Sequence, residues 1–313
     1  AKSGRRPKEH PSQMSHNLTT ILAHFGIKEF TSTPLALGFA NENFRIDSGG
    51  KTIMIRICKQ QPVASIEKEI EFMQIIRSQG LKVAYPISNE TGSNIFQSGV
   101  FPALMYDFVE GHDAPLNSDS RKQIAMEVAK LNSIEVPDGF VKPNNLNFQN
   151  CVELEAKLDA APYQFPEVFA HFRSELKLLE KYVHLDLPRG FVHGDVFPNN
   201  TIFQGNELKA IIDFEEFAVE TLLFDLAMMV VGFCLNDEGR VDQNAIKELV
   251  LGYESIRQLS RPEKEALPYF VRWAALAMMS WHLEFDLIYT RNEKQNVRVN
   301  ELMKIAQSVE LQP

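Results

Sequence analysis

The chain has few cysteines, no excess of basic charge and no long apolar run. Its three cysteines (Cys58, Cys151 and Cys234) are scattered without metal-ligand spacing, which favours buried free thiols in a reducing cytoplasm. The formal net charge of −9 is opposite to the basic footprint of a nucleic-acid surface, so no nucleic-acid partner is expected. The most apolar segments, 222–235 and 270–281, contain charges and are shorter than a membrane span of about 20 residues, so no membrane partner is expected.

The first 15 residues are polar and basic, and they lack the apolar segment of a secretory signal. We expect residues 1–15 to form a disordered leader, with Met14 as a candidate start. The whole chain is 44% hydrophobic and 23% charged, which is ordinary for a globular protein with one large or two modest domains.

Strand patterns dominate the first third of the chain. A turn at 47–50 precedes a strand over 51–58, in which Ile53, Ile55 and Ile57 share one face, and further strands are predicted over 83–87 and 95–109. A helix is predicted over 65–79.

From about residue 118 the periodicity becomes helical. Helices are predicted over 121–134, 166–185, 222–234, 244–258, 261–289 and 296–309, with two short strands around Gly205. The pattern predicts an α+β chain with a small β-rich amino-terminal lobe (16–110) and a larger helical carboxy-terminal lobe (111–313).

One segment carries most of the chemical information: HGDVFPNN at 193–200, followed by IIDF at 211–214. Asn200 lies five positions after Asp195, and Asp213 follows Asn200 by thirteen, at the end of an apolar run. Phosphoryl transfer from a metal nucleotide needs a carboxylate to receive or orient the acceptor's hydroxyl proton, and an amide oxygen with a second carboxylate to hold Mg²⁺. We therefore predict Asp195 as the catalytic base and Asn200 and Asp213 as Mg²⁺ ligands. Plain turn or strand-end roles are the structural alternatives.

These residues resemble the motif of the aminoglycoside phosphotransferase and choline kinase superfamily, whose fold is similar to that of protein kinases. Phe197-Pro198 within the motif and RWAAL at 272–276 look most like phosphotransferase-type homoserine kinases. The resemblance covers nearly all of the chain from about residue 17. It implies a protein-kinase-like bilobal fold and a small-molecule kinase that uses ATP and Mg²⁺.

The resemblance also implies further nucleotide-site residues. They are Gly38 and Asn41 in a phosphate loop, Arg56 where kinases usually carry a Lys, its helical partner Glu69, and Tyr106 and Phe108 in a hinge beside adenine. His193 would hydrogen-bond the backbone near Asp213, and Asp225 would hold the catalytic loop. Because Arg56 replaces the usual Lys, a nucleotide-binding pseudokinase stays an alternative.

The acceptor is expected to be a small molecule with a hydroxyl group, homoserine first. A zwitterion needs a carboxylate for its ammonium group, which Glu215 and Glu216 would supply, and a cation, which Arg272, His282 or Arg291 would supply. Buried helix–helix pairs would produce the same pattern in the last helices. Aminoglycoside, choline or ethanolamine, hydroxylysine and methylthioribose acceptors stay open, as do oligomeric state and ATP versus GTP. The short segment between Asp213 and the helix predicted from 222 disfavours a protein kinase.

Overall fold

The structure is a computed structural model, and it describes residues 11–35, 41–97, 101–284 and 293–311. The chain divides into two compact units. The amino-terminal unit contains the residues up to Arg77 together with Ala84–Glu110, and the carboxy-terminal unit contains Ser78–Val83 and the residues from Gly111 onward. The first is rich in strands and the second in helices, so the predicted α+β class is confirmed.

The amino-terminal unit is an antiparallel sheet with two helices. The helices are α1 (Pro11–His24) and α2 (Val63–Ser78). The strands are β1 (Thr31–Pro34), β2 (Asn41–Ser48), β3 (Lys51–Cys58), β4 (Ile95–Phe96) and β5 (Ala103–Asp107), in the order β1-β2-β3-β5-β4. The predicted alternation of β3 is confirmed, because Ile53, Ile55 and Ile57 are buried in the core of this unit. Gly49 and Gly50, both with positive φ, close the β2–β3 hairpin, a conformation that glycine adopts without strain.

The carboxy-terminal unit is built mainly from helices. They are α3 (Ser118–Asn132), α4 (Phe148–Glu155), α5 (Pro166–Val183), α6 (Leu223–Phe233), α7 (Gln243–Glu254), α8 (Arg261–His282) and α9 (Glu293–Ser308). Asn117 and Ser260 cap α3 and α8 through reciprocal capping boxes, which fix where these helices begin. Almost every residue of α6 is buried, as expected of a helix that is apolar on all sides.

Two small two-stranded sheets position the motif. Strand β6 (Arg189–Val192) pairs with β9 (Ala218–Thr221), and β7 (Thr201–Gln204) pairs with β8 (Glu207–Ile211). The segment 193–200 therefore connects β6 to β7, and 212–217 connects β8 to β9. Because both pairs are antiparallel, these two connections must lie side by side.

Several secondary-structure predictions differ from the structure. The strand predicted over 83–87 is reduced to isolated bridges at Val83 and Pro86, because a proline lacks the N–H that a ladder needs. The strand predicted over 95–109 is two strands, β4 and β5, with 98–100 outside the described residues. Helix α4, a short helix capped by Asn147, was not predicted from the sequence.

Two predictions reach the limits of the described residues. Residues 11–15 of the predicted leader are helical, whereas 1–10 lie outside the described residues, as does the predicted end of α8 at 289. The three cysteines are buried free thiols, as predicted. Within the described ranges, none of the helices combines the length and apolarity that a membrane crossing requires.

Candidate active site

Asp195 and Asn200 are in direct contact. The Asn200 Nδ2 donates to the backbone oxygen of Asp195 and to its Oδ2, both at 2.8 Å. Asn200 ends a 3₁₀ turn (Pro198–Asn200) and is buried, and its Oδ1 accepts from Asn199 Nδ2 at 3.3 Å. With Nδ2 facing Asp195, the amide oxygen of Asn200 faces elsewhere, as a metal ligand would require.

Asp213 adopts a strained backbone beside this turn. Its φ of +64° is the one positive value for a residue other than glycine in the part of the chain that the structure describes. Such left-handed residues cost about 1 to 3 kcal/mol and concentrate at functional sites. The backbone N–H of Ile212 donates to the backbone oxygen of Asn200 at 3.0 Å, and this bond joins the two loops next to Asp213.

Gly194 permits the close approach of these two loops. It has a φ of +84°, and a Cβ at this position would lie 2.4 Å from the backbone oxygen of Glu216. No larger residue fits without displacing backbone. The close contact places Glu216 next to the residue that precedes Asp195.

Asp195 is a weaker acid than an ordinary aspartate. Burial raises the pKa of Asp195 to about 7, with further contributions from three neighbouring carboxylates. These are the side chains of Asp213, Glu216 and Glu215, and the hydrogen bond from Asn200 opposes them. A carboxylate whose pKa lies near neutral pH is suited to accept a proton during turnover.

The oxygen donors at this site fit Mg²⁺. Asn200 offers an amide oxygen and Asp213 a carboxylate, and Mg²⁺ in phosphate-transfer sites typically takes one or two carboxylates together with substrate phosphates and water. Among the described residues, no group of three or more His, Cys, Asp or Glu side chains could hold a metal ion. Because neighbouring negative charges raise the pKa of Asp195, a divalent cation here would lower the electrostatic energy.

Asp225 and His193 hold the motif loop from behind. The fully buried Asp225 carboxylate accepts the backbone N–H of His193 at 2.8 Å and that of Gly194 at 2.9 Å. His193 Nδ1 accepts the Asp195 N–H at 3.2 Å, so its Nε2 carries the proton and donates to the Ile212 oxygen at 3.0 Å. The predicted scaffold contacts of both residues are therefore present.

The acidic segment after Asp213 faces a loop that the sequence analysis did not single out. Asn145 Nδ2 donates to Glu216 Oε2 at 3.0 Å, and the Val219 N–H donates to the Lys142 oxygen at 2.9 Å. The Lys142 ammonium lies 5.5 Å from the centre of the Phe217 ring. Burial raises the pKa of Glu216, while Asn145 and Lys142 oppose that shift. A cation thus lies near the carboxylates predicted for the acceptor.

Arg272, predicted as a partner of the acceptor, forms an ion pair with Glu175. Its guanidinium forms a two-point ion pair with the buried Glu175 of α5, with Nε donating to Oε2 at 2.9 Å. This arrangement is the buried helix–helix pair that the sequence analysis held as the alternative. His282 is buried at the end of α8, with its ring edge-on to Trp281. Arg291 lies outside the described residues.

The amino-terminal unit contains the residues predicted for the nucleotide. The Arg56–Glu69 pair is present and buried: Arg56 Nη2 donates to both oxygens of Glu69 at 2.9 Å, and Gln61 Nε2 donates to Oε2 at 2.8 Å. Tyr106 is buried in β5 with its ring 5.8 Å from the Arg56 guanidinium.

The structure gives fewer contacts for the other residues predicted at the nucleotide site. Phe108 donates its N–H to the Thr52 oxygen at 3.4 Å, and Asn41 is buried at the start of β2. Gly38 lies outside the described residues. The nucleotide-binding role of all these positions stays a prediction.

A family model described as a phosphotransferase enzyme family matches residues 31–259. The chain belongs to this family. The predicted enzyme class is therefore confirmed: the protein is a phosphotransferase.

Curated relatives and a solved structure agree with this assignment. The homoserine kinase of Methylobacterium radiotolerans is 29% identical over 249 residues, which cover 78% of this chain and 77% of that protein. The homoserine kinase of Gluconobacter oxydans is 27% identical over 287 residues, covering 88% and 86%. The structure of a microcompartment-associated aminopropanol kinase matches with a TM-score of 0.76 at 16% identity, covering 92% of this chain and 94% of that one. The predicted superfamily and protein-kinase-like fold are confirmed.

The buried Arg56–Glu69 pair predicts a large stability effect in this phosphotransferase. Replacing Glu69 by Leu leaves the Arg56 charge buried without its carboxylate, so the free energy of unfolding should fall by about 3 to 5 kcal/mol. Urea unfolding monitored by circular dichroism measures this. Glu71→Leu is the matched control, because its pair with Lys68 is exposed and should be worth about 1 kcal/mol or less. Equal losses in the two variants would contradict the prediction.

Further residues contact the motif of this phosphotransferase that spacing in the sequence could not identify. Lys142 and Asn145 lie in the loop between α3 and α4; Asn145 donates to Glu216, 71 positions further along the chain, and Lys142 influences the pKa of the same carboxylate. Asn132, at the end of α3, donates to Asp225 Oδ2 at 3.0 Å. No short motif contains these pairs, so only the folded chain brings them together.

Proposed function

We propose that this phosphotransferase transfers the γ-phosphoryl group of ATP to the hydroxyl of an amino-acid-like acceptor, with homoserine the first candidate. The contact between Asp195 and Asn200, with Asp213 held in a strained turn beside them, carries the proposal. The relatives named homoserine kinase, which match most of the chain, support the choice of acceptor.

In this proposal Asp195 is the catalytic base. It orients the acceptor hydroxyl and takes its proton while the hydroxyl oxygen bonds to the γ-phosphorus. The bond from that phosphorus to the β–γ bridging oxygen breaks, and ADP departs with the bonding electrons. Asn200 and Asp213 would hold Mg²⁺, which neutralises the charge of the phosphates when bound. Arg56, oriented by Glu69, is proposed as the cation of the nucleotide site.

The surroundings of Glu216 favour a zwitterionic acceptor. Glu215 and Glu216 are the proposed partners of its ammonium group, and Lys142 is the proposed partner of its carboxylate. The influence of Lys142 on the pKa of Glu216 supports this assignment, because it shows that both charges lie in one neighbourhood. An acceptor that is only cationic, such as choline or an aminoglycoside, would gain nothing from a lysine here.

ADP release from Mg·ATP tests the proposal across a panel of acceptors. The panel contains homoserine, hydroxylysine, 1-amino-2-propanol, ethanolamine, choline, methylthioribose and two aminoglycosides. We expect homoserine to give the highest kcat/KM. Turnover with another acceptor and none with homoserine would reject the proposed acceptor. Binding of Mg·ATP without turnover of any acceptor would support the pseudokinase alternative.

Lys142→Met should separate the two acceptor classes. Losing a charge-assisted contact to the acceptor's carboxylate should raise the KM for homoserine about 10- to 100-fold, with kcat/KM for 1-amino-2-propanol unchanged because that acceptor has no carboxylate. Steady-state kinetics with each acceptor measures the ratio. Lys264→Met, which removes a lysine paired with Glu254 in the helical unit, is the control and should alter neither. A parallel loss for both acceptors would exclude Lys142 as the carboxylate's partner.

A further inference from the structure

A buried chain of hydrogen bonds leads from the start of α8 to the loop that contains Asp195. It begins at Glu263, whose Oε2 accepts the N–H of Ser260 at 2.9 Å and its hydroxyl at 2.8 Å. The other oxygen of Glu263 accepts from Arg257 Nη2 at 2.7 Å. Arg257 Nη1 then donates to the hydroxyl oxygen of Tyr253 at 3.3 Å. Glu263 and Tyr253 are almost fully buried, so water contributes little to holding them.

The chain continues through Asn132 to Asp225. The Tyr253 hydroxyl donates to Asn132 Oδ1 at 2.7 Å. Asn132 Nδ2 donates to Asp225 Oδ2 at 3.0 Å and to the Phe191 oxygen at 2.9 Å, which occupies both of its hydrogens. Asp225 in turn accepts the N–H groups of His193 and Gly194. Every polar atom of the Asn132 amide is therefore committed.

Arg257 determines which group donates in each hydrogen bond of this series. A guanidinium only donates, so the Tyr253 oxygen must accept from Arg257 and its single proton must go to Asn132 Oδ1. Burial raises the pKa of Tyr253, so its proton stays in place. With Oδ1 held by the tyrosine, the amide cannot rotate its oxygen toward Asp225. Tyr253 thereby ensures that Asp225 faces a donor and not an acceptor.

We propose that Tyr253 and Asn132 are positioning residues for phosphoryl transfer, acting through Asp225 on the loop that presents Asp195. This inference rests on the proposed role of Asp195. Tyr253 lies on α7 and does not contact Asp195 itself, so its effect must pass through Asn132 and the Asp225 carboxylate. In this proposal the hydrogen-bonded series holds the N–H groups of His193 and Gly194 in the geometry that orients Asp195.

Tyr253→Phe removes one oxygen atom from this chain. Asn132 Oδ1 then loses its partner in a buried site, so the amide orientation is no longer enforced. We expect kcat to fall roughly 3- to 30-fold with the KM of both substrates unchanged, the loss expected when a single buried hydrogen bond is broken. Tyr182→Phe is the matched control: it also removes a hydrogen-bonded hydroxyl, from a tyrosine stacked on Tyr269, and should leave kcat unchanged.

A double variant separates positioning from stability. Asn132→Leu with Tyr253→Phe replaces both partners by apolar groups, so the Tyr253 hydroxyl is no longer left without its acceptor, and part of the thermal stability lost in Asn132→Leu should be restored. The kcat should stay low, because Asp225 still lacks its side-chain donor. Recovery of kcat together with thermal stability would overturn the positioning role.

Hydrogen–deuterium exchange supplies a readout that does not depend on turnover. The amides of 193–194 should exchange faster in Tyr253→Phe than in the wild type and in Tyr182→Phe. Wild-type kcat together with wild-type exchange in Tyr253→Phe would overturn the inference. If the wild type itself transfers phosphate to no acceptor, the proposed function fails, and unchanged exchange at 193–194 would separately reject the hydrogen-bonded control of the loop.

Discussion

Asp195→Asn should abolish most turnover without unfolding the protein. The substitution removes the proposed base but keeps the shape of the side chain and an oxygen that accepts from Asn200. General-base catalysis is worth about 10²- to 10⁴-fold, so kcat should fall within that range. Nucleotide affinity should change little, because the residues proposed to hold the phosphates are untouched. Steady-state kinetics and nucleotide titration measure the two effects separately.

The raised pKa of Asp195 also predicts how the stability of Asp195→Asn should differ from that of the wild type as the pH changes, and this difference is measured without substrates. Because its folded pKa of about 7 exceeds the ordinary aspartate value, the stabilising effect of the proton is present at low pH and is lost as the pH rises through 7. Asp195→Asn should therefore be more stable than the wild type at pH 8, with a smaller difference at pH 5.5. The wild-type kcat/KM for the nucleotide should rise with pH through about 7, and the variant should lack this limb.

The exposed Asp186 provides a control for both readouts. Asp186→Asn should change neither kcat nor the pH dependence of unfolding, because this carboxylate is exposed to solvent. A variant at Asp195 that retained more than a tenth of wild-type kcat would show that another group takes the proton. Destabilisation of Asp195→Asn at pH 8 would show that the carboxylate serves the fold.

The sequence predicted the local parts of this protein well because local periodicity determines them. The strand Lys51–Cys58 has the predicted bounds, and its three isoleucines lie in the core. Helix α5 begins at the predicted Pro166, because a proline is well tolerated in the first turn of a helix. The contact between Asp195 and Asn200 also follows from a spacing within one loop.

The sequence could not predict the parts that depend on distant contacts. Glu175 and Arg272 are 97 positions apart, and their ion pair is the buried helix–helix pair that was the alternative to an acceptor role for Arg272. Tyr253 and Asn132 are separated by 121 positions, and neither belongs to a motif. Both pairs form only where helices pack, so amphipathic patterns predict that these faces are buried but not which polar groups meet there.

The strain at Asp213 also escapes a sequence reading. An aspartate at the end of an apolar strand fits a turn as well as a metal ligand, and its left-handed conformation appears only in the fold. The structure adds the physical reason to favour function: the surroundings impose an unfavourable φ on a residue with a Cβ. The unfavourable backbone conformation of Asp213 therefore favours a functional placement of its carboxylate, whose charge also raises the pKa of Asp195.

Asp225→Ala should be among the most damaging single substitutions in the chain. The fully buried carboxylate accepts three N–H groups, from His193, Gly194 and Asn132. Alanine leaves all three without an acceptor in the interior, each at a cost of about 1 to 3 kcal/mol. The sum approaches the total stability of a typical domain, about 5 to 15 kcal/mol, so this variant should accumulate poorly.

Asp225→Asn is the informative variant because it should still fold. The single oxygen of asparagine can accept from only some of these three N–H groups, and its NH₂ group faces the rest. The free energy of unfolding should therefore fall by about 2 to 4 kcal/mol. The kcat should fall by more than that of Tyr253→Phe, since the loop loses its direct anchor. Urea unfolding and steady-state kinetics measure the two losses.

Asp242→Asn is the control, because Asp242 also accepts backbone N–H groups, at the start of α7, yet asparagine caps helices equally well. It should cost about 1 kcal/mol or less and leave kcat unchanged. If Asp225→Asn were as mild as Asp242→Asn, the carboxylate would be a replaceable cap, and the catalytic loop would have to be held by His193 alone. A selective loss at Asp225 would show that the loop that presents Asp195 requires both carboxylate oxygens of Asp225 as acceptors.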